Sequence, residues 1–242
     1  MEYAEFKALF VKSLQENSLE PQSDDIIRLF CEFDNHLHKV NVITNLTAIR
    51  NTPDAISKHY IDSLLASAYI PPNARVLDIG CGPGFPSIPL AITRPDLSIV
   101  ALDSTAKKIA FVKESAEILS FGNLKAIAGR AEDAKIIANL GKFDVVVSRA
   151  VARMNVLCEL GLPYVKIGGK MLALKAAKAE EETSEAKNCI RVLGGTDVAM
   201  HATELINLDG SAEPRCIIEV QKAKATPAIY PRAYAQILKK PL

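Results

Sequence analysis

No two cysteines in this sequence stand at a spacing that would hold a metal. The five, Cys31, Cys81, Cys158, Cys189 and Cys216, are scattered without a CxxC or Cys/His ligand spacing. That argues against zinc and against a disulfide framework, and points to a reducing compartment. An excess of charge is lacking too: 29 Lys+Arg against 28 Asp+Glu leave a formal net charge of +1, so binding to a polyanion must come from a local basic patch. No stretch approaches the roughly 20 apolar residues of a membrane span. The N-terminus MEYAEFKALFVKSLQ carries acids and has no signal-peptide apolar run. Internal repeats and low-complexity tracts are absent as well. These absences predict a soluble cytoplasmic protein without a metal site or a membrane partner.

What is present is an ordinary globular composition. At 49% hydrophobic, 242 residues suffice for a full core. Up to about residue 70 the pattern is helical: Phe6, Leu9, Phe10 and Leu14 share one face, and Ile26, Ile27, Phe30, Phe33, Leu37 and Val40 recur at three and four. A third helix is expected after Thr52-Pro53, with Thr52 as its cap. From Arg75 the rhythm changes to short apolar runs alternating with helical stretches, the pattern of a parallel sheet covered on both faces. The expected strands are 75–80, 97–103, 124–129, 143–149 and 170–176. A charged, solvated helix after Lys178 should stop at Gly194-Gly195. VAMHATELINL and RCIIEVQKA then read as an antiparallel pair at a sheet edge. The chain divides into an N-terminal helical region, 1–70, and an α/β domain, 71–242.

The stretch RVLDIGCGPGFPSIPL (75–90) is a strand, a glycine-rich turn and a helix. A dinucleotide fingerprint G-x-G-x-x-G would need glycine at position 85, where Phe85 stands. The pattern is instead Asp78, Gly80, Gly82, Gly84, which resembles motif I of S-adenosyl-L-methionine-dependent methyltransferases with a Rossmann-like fold. Glycines let the backbone pass close to a ligand, and the following helix N-terminus offers N–H groups to an anionic group such as the methionine carboxylate. Asp103 ends the next strand, about 20 residues on, where a carboxylate can accept from both ribose hydroxyls. Cys81, inside the turn and with no histidine near it in sequence, reads as a small packed residue rather than a nucleophile.

Beyond that turn the chain resembles one family, the bacterial 16S ribosomal RNA guanine-N7 methyltransferases, also called glucose-inhibited division protein B. The resemblance runs from about Lys39 to the C-terminus through NLTAI (45–49), KHYIDSLL (58–65), DIGCGPGFPSIPLAI (78–92), LDSTAKKIAFVKE (102–114), GRAED (129–133), FDVVVSRAVA (143–152), LPYVKIGGKMLALK (162–175) and YPR (230–232). It implies a class I methyltransferase fold with an N-terminal helical extension and S-adenosyl-L-methionine as cofactor. The cofactor would lie against Gly80 and Phe85, against Ala131 and Glu132 after the third strand, and against Arg149 after the fourth, with Asp103 on the ribose. The tail YPRAYAQILKKPL departs from the family in lacking the glycine usual after YPR.

The residues also bear on the chemistry. Methylating an exocyclic amine usually calls for (D/N/S)-P-P-(Y/F/W) after the fourth strand, and pyrimidine C5 methylation calls for a cysteine there. The sequence has Ser148-Arg149-Ala150. A guanine N7 carries a free lone pair and no proton, so it can attack a sulfonium methyl without a general base, and catalysis then rests on alignment and exclusion of water. N7 is out of reach in the deep major groove of A-form RNA, so the target should lie in a loop or distorted element. The family places that target in the decoding region of the small ribosomal subunit. Arg149 follows a buried strand and should emerge at the carboxyl edge, in contact with cofactor or target. Asn45 and His59 are weaker candidates. Lys39, Arg50, Lys58, Arg153, Lys170, Lys175 and Lys178, with Lys222, Lys224, Arg232, Lys239 and Lys240, suggest an RNA-facing rim. The rival readings are a methyltransferase of the same fold acting on a protein or small molecule, and a non-catalytic RNA-binding or scaffold protein. Oligomeric state is open, with a monomer the simplest expectation.

Overall fold

The apolar runs assemble into a seven-stranded sheet of order β3-β2-β1-β4-β5-β7-β6 in a computed structural model that describes residues 1–242. β1 (Arg75–Ile79), β2 (Ser98–Asp103), β3 (Leu124–Ala128), β4 (Phe143–Arg149) and β5 (Val165–Lys175) pair in parallel. β7 (Ala212–Lys222) pairs antiparallel with β5 and with β6 (Gly195–Ile206). The late pair is therefore antiparallel as its alternation predicts, with β6 alone at the edge. The strand order reverses between β1 and β4, which opens a crevice at the carboxyl ends of the parallel strands.

The parallel strands alternate between two cores, as successive side chains on a strand must. On one face Leu77, Ile79, Val100 and Leu102 pack beneath α7 (Ala134–Leu140), α8 (Met154–Gly161), α9 (Ala179–Val192) and α10 (Tyr234–Lys239). On the other face Val76, Ile99, Val145 and Val147 lie against Leu90 and Ala91 of α5 (Ser87–Thr93). α6 (Ala106–Ile118) joins this face through Ile109, Phe111 and Val112, in a cluster shared with the N-terminal helices α1 (Tyr3–Glu16) and α2 (Asp24–Thr44).

The N-terminal helices bear directly on the glycine turn. Ser23 caps α2 by accepting from the Ile26 N–H, two acids follow in its first turn, and Asn45 ends it in the left-handed region. Its apolar face presents Phe30 and Phe33. Phe30 meets Phe10 at 4.6 Å between ring centroids, and Phe33 meets Phe85 of the turn at 5.8 Å. Each fully buried ring contributes about 2–3 kcal/mol, so the segment before residue 70 and the turn after it share one core.

Three details differ from the sequence expectation. The third helix is capped by Asn51, whose Oδ1 accepts from the Asp54 N–H at 2.8 Å; the Thr52 hydroxyl instead donates to buried Asp34 at 2.7 Å. That helix, α3 (Thr52–Ala55), continues through a π-helical turn, Ile56–Ile61, into α4 (Asp62–Leu64). β5 begins at Val165 rather than 170, across a register irregularity opposite Phe143 and Val145. The helix after Lys178 is not wholly solvated, because Thr183, Ala186, Cys189 and Ile190 turn into the core. No helix is long and apolar enough to cross a membrane.

Candidate active site

The crevice holds a cavity of about 340 Å³ built from strand ends. β1 supplies Ile79 and Gly80, β2 leads into Leu102 to Thr105, the loop after β3 supplies Gly129 to Glu132, and Ala150 and Val151 follow β4. Lys108 of α6, Leu160 of α8 and Tyr234 of the C-terminal tail complete the wall. Gly80 has φ +72, and a Cβ there would stand 2.3 Å from Val151 Cγ2, so only glycine fits without displacement. The Gly80 N–H donates to the Leu102 carbonyl at 2.7 Å. Gly82 and Gly84 share the left-handed conformation but line no part of the cavity.

Asp103 is fixed by the backbone on both sides. Its Oδ2 accepts from the Gly82 N–H at 2.9 Å and its Oδ1 from the Thr105 N–H at 2.7 Å. A carboxylate has about four lone-pair sites, so capacity remains on the side that lines the cavity. Asp78 shares the strand face of Val76 and lies buried beneath the turn. Its Oδ2 accepts from the Ser87 backbone N–H at 3.1 Å and from the Ser87 hydroxyl, while Oδ1 has no partner. Burial pushes the Asp78 carboxyl up to about 7, against the hydrogen bonds from Ser87 and the charge of Arg149. Asp78 therefore shapes the turn from behind. Cys81 is buried, and that burial drives its thiol well above the usual range. It is a packed residue.

Phe85 and Arg149, expected against the cofactor, do not line this cavity. Arg149 has the strand parity of Val145 and Val147, so its side chain leaves on the face of the N-terminal helices. There Nη1 donates to Asp62 Oδ2 at 2.9 Å and to the Lys58 carbonyl at 2.7 Å, and Nη2 donates to His59 Nδ1 at 3.2 Å. The Phe85 ring stacks on His59 at 4.2 Å, with the Arg149 guanidinium 5.4 Å from its centroid. Burial, and then the charge of Arg149, hold His59 down at about 3, so it is neutral. Since Nδ1 accepts, the proton sits on Nε2, 2.9 Å from the Thr47 hydroxyl. Asn45 stands apart, accepting from Arg50 at the end of α2.

Arg149 instead lines a second cleft of about 500 Å³ with Asp62, Lys175, Glu182, Glu213 and Arg215. Asp62 bridges two arginines, its Oδ1 accepting from Arg215 Nε at 2.7 Å. Ala150 and Val151 line both clefts, and Ala150 has φ +55, a conformation alanine seldom adopts. Asp62, Glu213, Arg215 and Tyr234 were not singled out from the sequence. For Asp62 a signal existed: KHYIDSL sets it three residues after His59, on the same helical face.

Several of the basic residues expected on an RNA-facing rim are paired within the chain, Lys58 with Asp54 and Glu213 among them. Arg153 pairs with Glu181 and Glu185, Lys170 with Glu219, Lys175 with Glu182 and Arg232 with Glu159. Lys222 is buried, donating to the carbonyls of Leu162 and Leu193. Lys39, Arg50, Lys178, Lys224, Lys239 and Lys240 remain exposed. No three His, Cys, Asp or Glu side chains gather where a metal ion could be held.

Comparison with known proteins decides the family, because residues 26–207 match the model described as rRNA small subunit methyltransferase G. The chain belongs to the rRNA small subunit methyltransferase G family. A relative of that name from Lactobacillus delbrueckii subsp. bulgaricus is 42% identical over 88% of this chain and 90% of its own length. One from Streptococcus pyogenes is 40% identical over 96% of this chain and 98% of its own. Among solved structures, an O-methyltransferase from Bacillus cereus in complex with SAH aligns with TM-score 0.56 and 19% identity, over 91% of this chain and 100% of that one. TYW2 from M. jannaschii in complex with AdoMet aligns with TM-score 0.54 and 16% identity, over 67% and 76%. Those two identities carry the fold alone, which is the class I methyltransferase fold. The family match covers the glycine turn, both clefts up to Asn207 and most of the sheet; Glu213, Arg215 and the tail lie beyond it.

Proposed function

We propose that the chain is an S-adenosyl-L-methionine-dependent methyltransferase that modifies a guanine N7 in an accessible loop of 16S ribosomal RNA. The loop lies in the decoding region of the small subunit, and the protein acts as a cytoplasmic monomer. The observation that carries this reading is the pair of clefts meeting at Ala150 and Val151 in a chain of this family. One cleft suits the cofactor and its neighbour the target nucleotide. The residues at the first fit the cofactor: 340 Å³ lies within the range of small-ligand sites, Gly80 leaves the approach free of a Cβ, and Asp103 presents a backbone-fixed carboxylate for ribose hydroxyls.

S-adenosyl-L-methionine bound there supplies an electrophilic methyl group on a sulfonium. The chain's own part is alignment. No side chain is poised as a base or nucleophile. At the clefts Asp103 accepts from two backbone N–H groups, Glu132 pairs with Arg130, Asp62 with Arg149 and Arg215, Glu182 with Lys175 and Glu213 with Arg215. Behind them His59 is neutral with both nitrogens engaged, while Cys81 and Asp78 are buried under the turn. A lone-pair nucleophile with no proton to lose needs neither. Gly80, Asp103 and the loop after β3 would hold the cofactor so that its methyl could pass to N7 while its sulfur keeps the bonding pair. Arg149 is read as a positioning residue, held by Asp62 and His59 at the wall of the second cleft. Such orientation supplies several kcal/mol of a barrier.

The test is incubation with methyl-labelled cofactor and small-subunit RNA or particles from cells lacking the gene. The product should show the alkali- and aniline-sensitive strand break of 7-methylguanosine, and transfer should weaken steeply as salt rises. Label on an amine, on a pyrimidine or only on protein would reject the reading.

A further inference from the structure

The C-terminal tail is strapped to the cofactor cavity by contacts that methyl transfer itself does not use. Glu159 of α8 is fully buried. Its carboxylate accepts from Arg232 three times: from the backbone N–H at 2.9 Å, from Nε at 2.8 Å and from Nη2 at 2.6 Å. A carboxylate out of water is tolerated only when paired and hydrogen-bonded, so this fork fixes both the side chain and the backbone of residue 232. Ile237, also fully buried, anchors the next turn in the core. Between these two anchors Tyr234 reaches the cavity wall, which it shares with Leu160, the residue after Glu159.

Tyr234 meets Arg130 there, the guanidinium carbon standing 4.9 Å from the ring centroid. Arg130 is paired with Glu132, and the Ala131 carbonyl accepts from the Tyr164 hydroxyl at 2.7 Å. Strand order says which end of a ligand this is. With an anionic group at the β1 turn and a ribose on Asp103 after β2, the base of a nucleoside falls beyond β2, at the loop after β3. That loop carries Arg130 and faces Tyr234.

We propose that Tyr234 and Arg130 form the wall on which the adenine of the cofactor stacks, and that the Glu159–Arg232 fork is the strap that holds the wall in place. This rests on the cofactor reading above. An aromatic ring and a guanidinium plane both stack on a purine face, and Tyr234 is only half-buried here, with ring surface left for a ligand.

The test is calorimetric titration of the full chain with S-adenosylhomocysteine and with 5′-methylthioadenosine, which keeps the adenosine and lacks the amino-acid end. No binding of S-adenosylhomocysteine to the unmodified chain would overturn the cofactor reading and this proposal with it. Given that binding, Tyr234→Ala is expected to weaken both ligands by the same factor, about tenfold, with Tyr234→Phe within about threefold of wild type. Arg232→Lys, which keeps the charge against Glu159 and breaks the fork, should weaken both by a smaller factor. Unchanged affinity in Tyr234→Ala, or a loss confined to S-adenosylhomocysteine, would overturn the assignment of Tyr234 to the adenine. Wild-type affinity in Arg232→Lys would overturn the strap.

Discussion

Replacing Asp103 by alanine separates two jobs held by one carboxylate. Asp103 accepts from the Gly82 N–H at 2.9 Å and the Thr105 N–H at 2.7 Å, tying the glycine turn to the start of α6. Hydrogen bonds to a charged group contribute about 1.5–3 kcal/mol each. Both donors lie near the open crevice, where water can replace the lost acceptor, so the two together should cost about 1.5–3 kcal/mol of folding stability. On the reading proposed here the remaining lone pairs accept from ribose hydroxyls, and their loss should cost a further 2–4 kcal/mol of ligand binding, roughly 30-fold or more. Urea unfolding measures the first quantity and calorimetric titration with S-adenosylhomocysteine the second. Asp103→Asn keeps the shape but presents one acceptor oxygen and one NH₂ group, so it can serve only one of the two N–H donors and should fall between wild type and alanine in stability. Lower stability with unchanged affinity would refute the ribose assignment and leave Asp103 a purely structural brace.

Three further outcomes are expected. Asp78 is held at about 7 by burial, against about 3.9 for a free carboxyl. The stability it contributes is therefore fully present below about pH 4 and lost as pH rises through 7, by up to about 4 kcal/mol; urea midpoints of wild type and Asp78→Asn that run parallel from pH 5 to 8 would contradict this. Asp62→Asn strips the charge shared by Arg149 and Arg215 and should destabilise the fold by about 2–4 kcal/mol. It should lower methyl transfer while leaving S-adenosylhomocysteine affinity within about threefold, because Asp62 lies outside the first cavity; a matching loss of cofactor affinity would merge the two clefts into one site. Cys81→Ser should keep transfer within roughly tenfold, since only packing in the turn changes; complete loss of turnover with cofactor binding intact would mark the thiol as reactive.

The alternation of short apolar runs with helical stretches was enough to read the parallel strands and the glycine turn from the sequence. Those signals are local: a period of two or 3.6 and a glycine where φ must be positive depend on neighbours a few residues away. The same locality explains why β5 was read as starting late, since its first half is paired irregularly and has no clean alternation. It also explains the misplaced helix cap, because Asn51 and Thr52 both have capping side chains and only buried Asp34, 18 residues earlier, takes the threonine away.

Local pattern alone settles the doubly wound sheet, the acid-glycine turn at the end of β1 and the carboxylate at the end of β2. Which way the candidate site side chains face follows from packing between distant segments. Arg149 was legible as a residue at the carboxyl edge, but its direction follows from strand parity and from Asp62, 87 residues away, and Arg215, 153 residues beyond Asp62. The fork that joins Glu159 to Arg232 spans 73 residues and brings a tail with no strong pattern of its own to the cavity wall. Charge pairs of this kind form between long side chains whose partners are set by which elements pack together. Periodicity records that a residue faces inward, and only the packed fold says what it meets there.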